Sequence, residues 1–169
     1  MSGTDSSRRE SLSSGGGRQG KSLTGSKLKE RALDLLSRRD HSRVELRQKL
    51  IQKGAQVEEI GPLLDELEDV GYLDDRRFAE NFVRFRAGKA WGRRRYGQEL
   101  AKRGVDSDVV KEILETTPEL TYRSMDEKLH RLVERELGRG KEPDKVAASL
   151  ARKGFALPAI RGAMEHFQD

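Results

Sequence analysis

The sequence has no cysteine, which excludes disulfides, thiolate metal ligands and cysteine nucleophiles and fits a reducing compartment. Aromatic residues make up 5% and all apolar residues 34% of its 169 positions, so any core must be thin. Charged residues reach 37%, a balance that suits helices with one apolar stripe better than a sheet buried on both faces. No apolar run approaches the roughly 20 residues of a membrane span, and the N-terminus has no apolar segment of the secretory type. A cytoplasmic protein without membrane contact is expected. His41, His130 and His166 share no spacing that suits a metal, and neither H-x-x-x-H nor H-E-x-x-H occurs. Serine and threonine are concentrated near the N-terminus, with no nucleophile-elbow pattern. These absences point to a protein without catalytic residues, metal or cofactor.

One stretch runs against that reading. "GGGRQGKS" (15–22) matches the phosphate-binding pattern G-x-x-x-x-G-K-[ST], with Gly15, Gly20, Lys21 and Ser22 in the key places. A working phosphate loop needs a buried strand before the glycines and a helix after them. Here "RRESLSS" precedes the match, and Gly25 interrupts the first turn that follows. The segment 1–26 holds eight Ser and six Gly, with Leu12 and Leu23 its only aliphatic side chains beyond Met1. So little apolar area cannot offset the entropy of ordering, and residues 1–26 are expected to be a disordered tail. The match then reads as a low-complexity coincidence. "RRES" around Ser11 is a weak kinase-site signal in the same tail.

Beyond the tail, charge comes in blocks. The net charge is +5, yet residues 57–75 carry eight carboxylates and no Lys or Arg. Residues 76–103 then carry ten Lys or Arg against Glu80 and Glu99. Such a two-signed field can steer a polyanionic or mixed-charge partner; pairing within the molecule is the plainer alternative.

The strongest organisation is a repeat of fifty residues. "KLIQKG" (49–54), "ELAKRG" (99–104) and "SLARKG" (149–154) recur at that spacing. Around Gly54, Gly104 and Gly154 the apolar positions align: Leu46, Tyr96 and Val146 eight residues before, and Leu50, Leu100 and Leu150 four before. Ile60, Val110 and Ile160 follow at six, and Leu64, Leu114 and Met164 at ten. Offsets of four on each side of a glycine describe two amphipathic helices joined at a left-handed residue. A further helix precedes each pair. The expected helices are 27–39, 42–53 and 56–70; 75–88, 92–103 and 106–116; then 121–138, 142–153 and 156–167. The fold expected is all-α, with units 27–70, 71–117 and 118–169 of about 50 residues in tandem, forming an elongated curved rod. Ser42 and one of Asp74 or Asp75 are expected helix caps. Phe78, Phe82 and Phe85, at spacings of four and three, share a face that reads as core.

The cluster "RFRAGKAWGRRR" (84–95) is dense in cations and poorly neutralised locally. Arg84, Arg86, Lys89, Arg93, Arg94, Arg95 and Lys102, together with Arg43 and Arg47 in the first unit, are candidate contacts for nucleic acid or an acidic protein. Arg84 lies four residues after Glu80, and a surface ion pair is its alternative. Trp91, the sole tryptophan, has two readings: stacking on a base or partner, or plugging the junction between helices.

Residues 28–169 resemble the RecX family of recombinase regulators, most strongly over 71–104, where the family's pattern reads G-Y/F-L-D-D-x-R-F-A, then Y-V-x-x-R, then G-x-G-x-x-R-I-x-x-E-L-x-x-K-G. Gly71, Leu73, Asp74, Asp75, Arg77, Phe78 and Ala79 match, as do Arg86, Gly92, Arg95, Glu99, Leu100 and Gly104. Ala90, Phe82, Tyr96 and Arg103 replace the family's Gly, Tyr, Ile and Lys. The resemblance implies tandem three-helix repeats and no enzymatic activity; Gly54, Asp74, Asp75, Phe78, Gly92, Gly104 and Gly154 are expected to be structural. The resemblance also implies a monomer that binds the RecA–single-stranded DNA filament along its groove. There it would hinder extension and suppress ATP hydrolysis, strand exchange and coprotease action. The rival is a non-specific or helix-turn-helix-like DNA-binding protein. The third helix of the first unit, with six carboxylates and no Lys or Arg, argues against insertion in a major groove.

Overall fold

The computed structural model describes residues 23–167, and the described part is all-helical apart from one isolated backbone bridge. The predictions made for residues 1–22, including the phosphate-loop match and Ser11, lie outside the described residues. The first unit comprises α1 (Gly25–Arg38), α2 (Arg43–Gln52) and α3 (Val57–Asp69). The second has α4 (Asp75–Arg86), α5 (Arg93–Lys102) and α6 (Ser107–Thr116). A short 3-10 turn, Pro118–Leu120, leads into α7 (Tyr122–Leu137), α8 (Pro143–Arg152) and α9 (Leu157–Glu165) of the third.

The predicted tail is too long at its inner end. Residues 23–26 are ordered: the Leu23 N–H donates to the Gly54 carbonyl at 3.0 Å, and the Gly25 N–H to Glu59 at 2.7 Å. Leu23 packs on the first core and pairs with Ala55 as the isolated bridge. Composition could not show this, because the stabilising partners are thirty residues away.

Each unit has its own core. Leu28, Ala32, Leu46, Leu50, Ile60, Leu64 and Leu67 form the first, with Leu73 reaching back into it from the following loop. The second gathers Phe78, Phe82, Val83, Tyr96, Leu100, Ile113, Leu120 and Met125. The third gathers Leu129, Leu132, Val133, Val146, Leu150, Phe155 and Ile160. α7 therefore straddles two cores, giving Met125 to the second and Leu129 onward to the third. Helices pack chiefly on partners of their own unit, so the cores stand in series and the molecule is extended.

The predicted aromatic stripe is broken at its end. Phe78 and Phe82 are buried, but Phe85 is 85% exposed. Ala79, Val83 and the half-buried Arg86 occupy the inward side of α4, leaving Phe85 at its margin beyond the cover of α5 and α6.

The units are joined end to end through their second helices. Gly104, just past the C-terminus of α5, lies against Val44 at the start of α2, and Ser42 Oγ donates to the Arg103 carbonyl at 2.6 Å. Gly154 past α8 lies against Arg95 at the start of α5, and the Gly92 N–H donates to the Lys153 carbonyl at 2.9 Å. At both joints the electropositive end of one helix meets the electronegative end of the next. Gly104 and Gly154 have φ of +75° and +89°, as a helix-ending glycine requires. They also lack the Cβ that would collide across the joint. At the outer end, the Leu23 N–H meets the Gly54 carbonyl in place of a neighbouring unit.

Candidate partner-binding surface

Three charged residues of the 71–104 motif, Asp75, Arg77 and Arg103, bind across to the first unit. Asp74 caps α4, accepting from the Arg77 N–H at 3.0 Å. Asp75 instead accepts from the Arg43 N–H at 2.7 Å, so it caps α2 across the seam between units. Burial raises the Asp75 pKa, an effect opposed by that hydrogen bond and by the Arg43 charge. Asp40 receives Arg77 Nε at 3.1 Å and Asn81 Nδ2 at 2.6 Å. Arg103 bridges Glu45 at 3.3 Å and Glu99 at 2.9 Å. Glu99, buried on the inner side of α5, also meets Arg95 at 3.0 Å and Lys102 at 3.5 Å. Its pKa is lowered, chiefly by the hydrogen bond from Arg103.

The candidate contact residues divide into two groups. Arg43 is bound to Asp65 at 2.6 Å and Glu68 at 2.5 Å on α3. Arg93 donates to the Leu120 carbonyl at 2.7 Å and lies 4.6 Å above the Tyr122 ring. Arg95 pairs with Glu99, lies 5.4 Å from the Trp91 ring centre and forms part of the α5–α8 joint. Arg86 covers the Phe82 ring at 4.0 Å, and its carbonyl accepts from the Tyr96 hydroxyl at 2.6 Å. Burial holds that hydroxyl's pKa at about 12, so it stays a donor. These four arginines are engaged internally. By contrast, Arg47, Arg84, Lys89 and Arg94 are exposed and make no ion pair among the described residues. Glu80 pairs with Arg76, leaving Arg84 free of the intrahelical bridge that spacing allowed. Lys102 keeps 66% of its side chain exposed despite Glu99.

Trp91 is half-buried, 6.4 Å from Phe82 and 5.4 Å from Tyr96 between ring centres. That contact supports the plug reading. The free aromatic beside the basic cluster is Phe85, at the rim of a cleft of about 270 Å³ shared with Arg39, Asp40, Arg86 and Arg103. Sequence reasoning missed it because its spacing from Phe82 matched a core stripe. The signal available was its place on the last turn of α4, flanked by Arg84 and Arg86.

Two family models, described as the first and second three-helix domains of RecX, match residues 29–67 and 74–114. A regulatory protein RecX from Pseudomonas putida (strain GB-1) is 36% identical over 138 residues, spanning 79% of this chain and 86% of the relative. The chain belongs to the RecX family. A second relative, regulatory protein RecX of Halorhodospira halophila, is 38% identical over 141 residues, 80% of this chain and 85% of that one. The crystal structure of RecX from Lactobacillus salivarius superposes with a TM-score of 0.75 at 25% identity, covering 85% of this chain and 96% of that chain. The RecX relatives are named regulatory proteins, and a regulatory role follows for this member. Among the described residues no group of three or more His, Cys, Asp or Glu could hold a metal ion. No described helix is long and apolar enough to cross a membrane.

Proposed function

We propose that this protein binds the RecA–single-stranded DNA filament along its groove, as a monomer, without catalysing a reaction of its own. Occupying the groove hinders filament extension and suppresses ATP hydrolysis, strand exchange and coprotease activity, which places the protein in cytoplasmic recombination, repair and the SOS response. Family membership supports the partner. The observation that carries the mode of action is the serial array of three cores with free cations on its second unit. An extended body reaches several subunits of a helical polymer at once, and Arg84, Lys89 and Arg94 supply charge for its polyanionic interior.

Phe85 favours direct contact with single-stranded DNA within that reading. An exposed aromatic beside Arg84 offers a stacking face next to a phosphate partner. Insertion of a third helix into a major groove has no such support, since α3 exposes Glu58, Asp65, Glu66, Glu68 and Asp69. The test is RecA-dependent ATP hydrolysis on single-stranded DNA with and without this protein. Hydrolysis falls in proportion to added protein if the reading is right. Undiminished hydrolysis at saturating protein refutes it.

A further inference from the structure

The third unit departs from the second where their sequences should correspond most closely. At the fifty-residue spacing, Asp106-Ser107-Asp108-Val109 aligns with Ala156-Leu157-Pro158-Ala159. In the second unit Asp106 caps α6, accepting from the Asp108 N–H at 2.8 Å, and Arg76 crosses to Glu112 at 2.8 Å. In the third, Ala156 stands at the cap with no acceptor side chain, and Leu157 is 61% exposed. Asp126 and Gly162 take the places of Arg76 and Glu112, so the ion pair that latches α4 to α6 has no equivalent.

A groove of about 1040 Å³ lies where the start of α5 meets α7 and the α8–α9 elbow. Its apolar lining comes from Tyr122, Met125, Leu129, Ala151, Phe155 and Leu157. Tyr122 is 82% exposed and, with Leu157, flanks a floor of Met125, Leu129 and Phe155 that are each less than a tenth exposed. Three arginines, Arg93, Arg94 and Arg123, stand on the lining with one carboxylate, Asp126, and Arg123, its side chain 90% exposed, also pairs with Glu127 at 3.1 Å along α7. The first residues of α5, α7 and α9 also reach the groove, adding the positive ends of three helices. The floor is largely aliphatic, and its exposed ring, Tyr122, already has Arg93 against one face. Such a floor suits apolar side chains better than stacked bases.

We propose that this groove docks a segment of a protein partner in which large apolar side chains are flanked by Asp or Glu. The apolar side chains fill the groove between Tyr122 and Leu157, and the carboxylates meet Arg94 and Arg123. The surface is distinct from the Phe85 cleft but shares Arg94 with the basic face assigned to the filament, and its argument uses none of the filament reading.

The test uses the full chain, isotopically labelled, and three synthetic peptides followed by amide NMR. One carries Leu and Phe anchors between Asp and Glu residues; the second replaces every acid by Lys; the third replaces both anchors by Ala. Only the first should shift the resonances of Arg94, Tyr122 and Leu157 saturably, with the others at least roughly tenfold weaker. Leu157→Asp and, separately, Arg94→Glu should each weaken the first peptide by about fivefold or more without altering the far-UV circular dichroism. Either variant alone suffices if the other changes the fold. Unmoved groove resonances, equal binding of the lysine peptide, or equal shifts produced by oligothymidine overturn the proposal. Because RecA is absent from this experiment, its outcome and that of the ATPase test are separable.

Discussion

Replacing Gly154 by alanine puts a methyl carbon 2.5 Å from the Arg95 backbone nitrogen and 2.7 Å from its Cβ, inside the distance real carbons tolerate. The same substitution at Gly54 meets nothing within 4 Å, although its φ of +84° is as left-handed as the +89° of Gly154. Gly92 completes the comparison: its φ of −85° suits any residue, but a Cβ there falls 2.3 Å from the Gly154 carbonyl oxygen. Left-handed strain for alanine costs about 1–2 kcal/mol, and overpacking against a joint about 1–3 kcal/mol. Gly54→Ala therefore loses about 1 kcal/mol from strain alone, Gly92→Ala about 2 kcal/mol from crowding alone, and Gly154→Ala about 3–4 kcal/mol from both. Alanine also restricts the unfolded chain, but equally at all three sites, so the ranking survives. Gly92 and Gly154 face each other, so the double substitution should fall short of the sum. Urea unfolding followed by far-UV circular dichroism measures these values. Equal losses at Gly54 and Gly154, or a change below about 0.5 kcal/mol at Gly92, would refute the close-packed joint.

Charge reversal at Arg84 and Arg94 together should leave helical content unchanged and relieve the proposed inhibition of RecA ATPase. Reversal of Arg43 should destabilise the fold by about 1–3 kcal/mol in thermal melts, since it faces Asp65 and Glu68. A chain beginning at Lys27 should be less stable than one beginning at Leu23 by about 1–2 kcal/mol, having lost the hydrogen bonds to Gly54 and Glu59. Glu136, gripped by Lys141 and Arg135, has its pKa lowered from 4.5 to about 2. Its contribution to stability is present above pH 4.5 and lost as pH falls toward about 2. Glu136→Gln should therefore flatten the fall of melting temperature across that window, and an unchanged slope would count against the assignment.

The helices were legible because apolar residues repeat at helical spacing and glycines stop them; each predicted helix lies within a few residues of an observed one. What the pattern could not carry was pairing across units. Asp75 looks like a second choice for capping its own helix, yet it serves α2, because the seam brings Arg43 within reach. The three repeated glycines look alike in sequence, while only two stand against a neighbouring unit. In the basic cluster, composition marked a dense run of cations but could not say which of them the fold engages. Arg93 is engaged by the Leu120 carbonyl, a partner named only by the fold, and Arg95 by Glu99 four residues along α5, while Arg84 and Arg94 make no ion pair among the described residues. Phe85 inverts its expectation, and Trp91 takes the second of its two readings, for similar reasons. The linker folds Trp91 back between Phe82 and Tyr96, while the end of α4 carries Phe85 past the edge of the core.

Both joints run in one sense, α8 onto α5 and α5 onto α2, with a carbonyl-bearing end always received by an amide-bearing one. The array is consequently a vector, with unlike extremities. Two such molecules cannot exchange ends, and a reversed placement along a directional polymer would present every seam and every charge in the wrong order. A host with its own 5′-to-3′ or subunit polarity would thus admit this protein in a single heading.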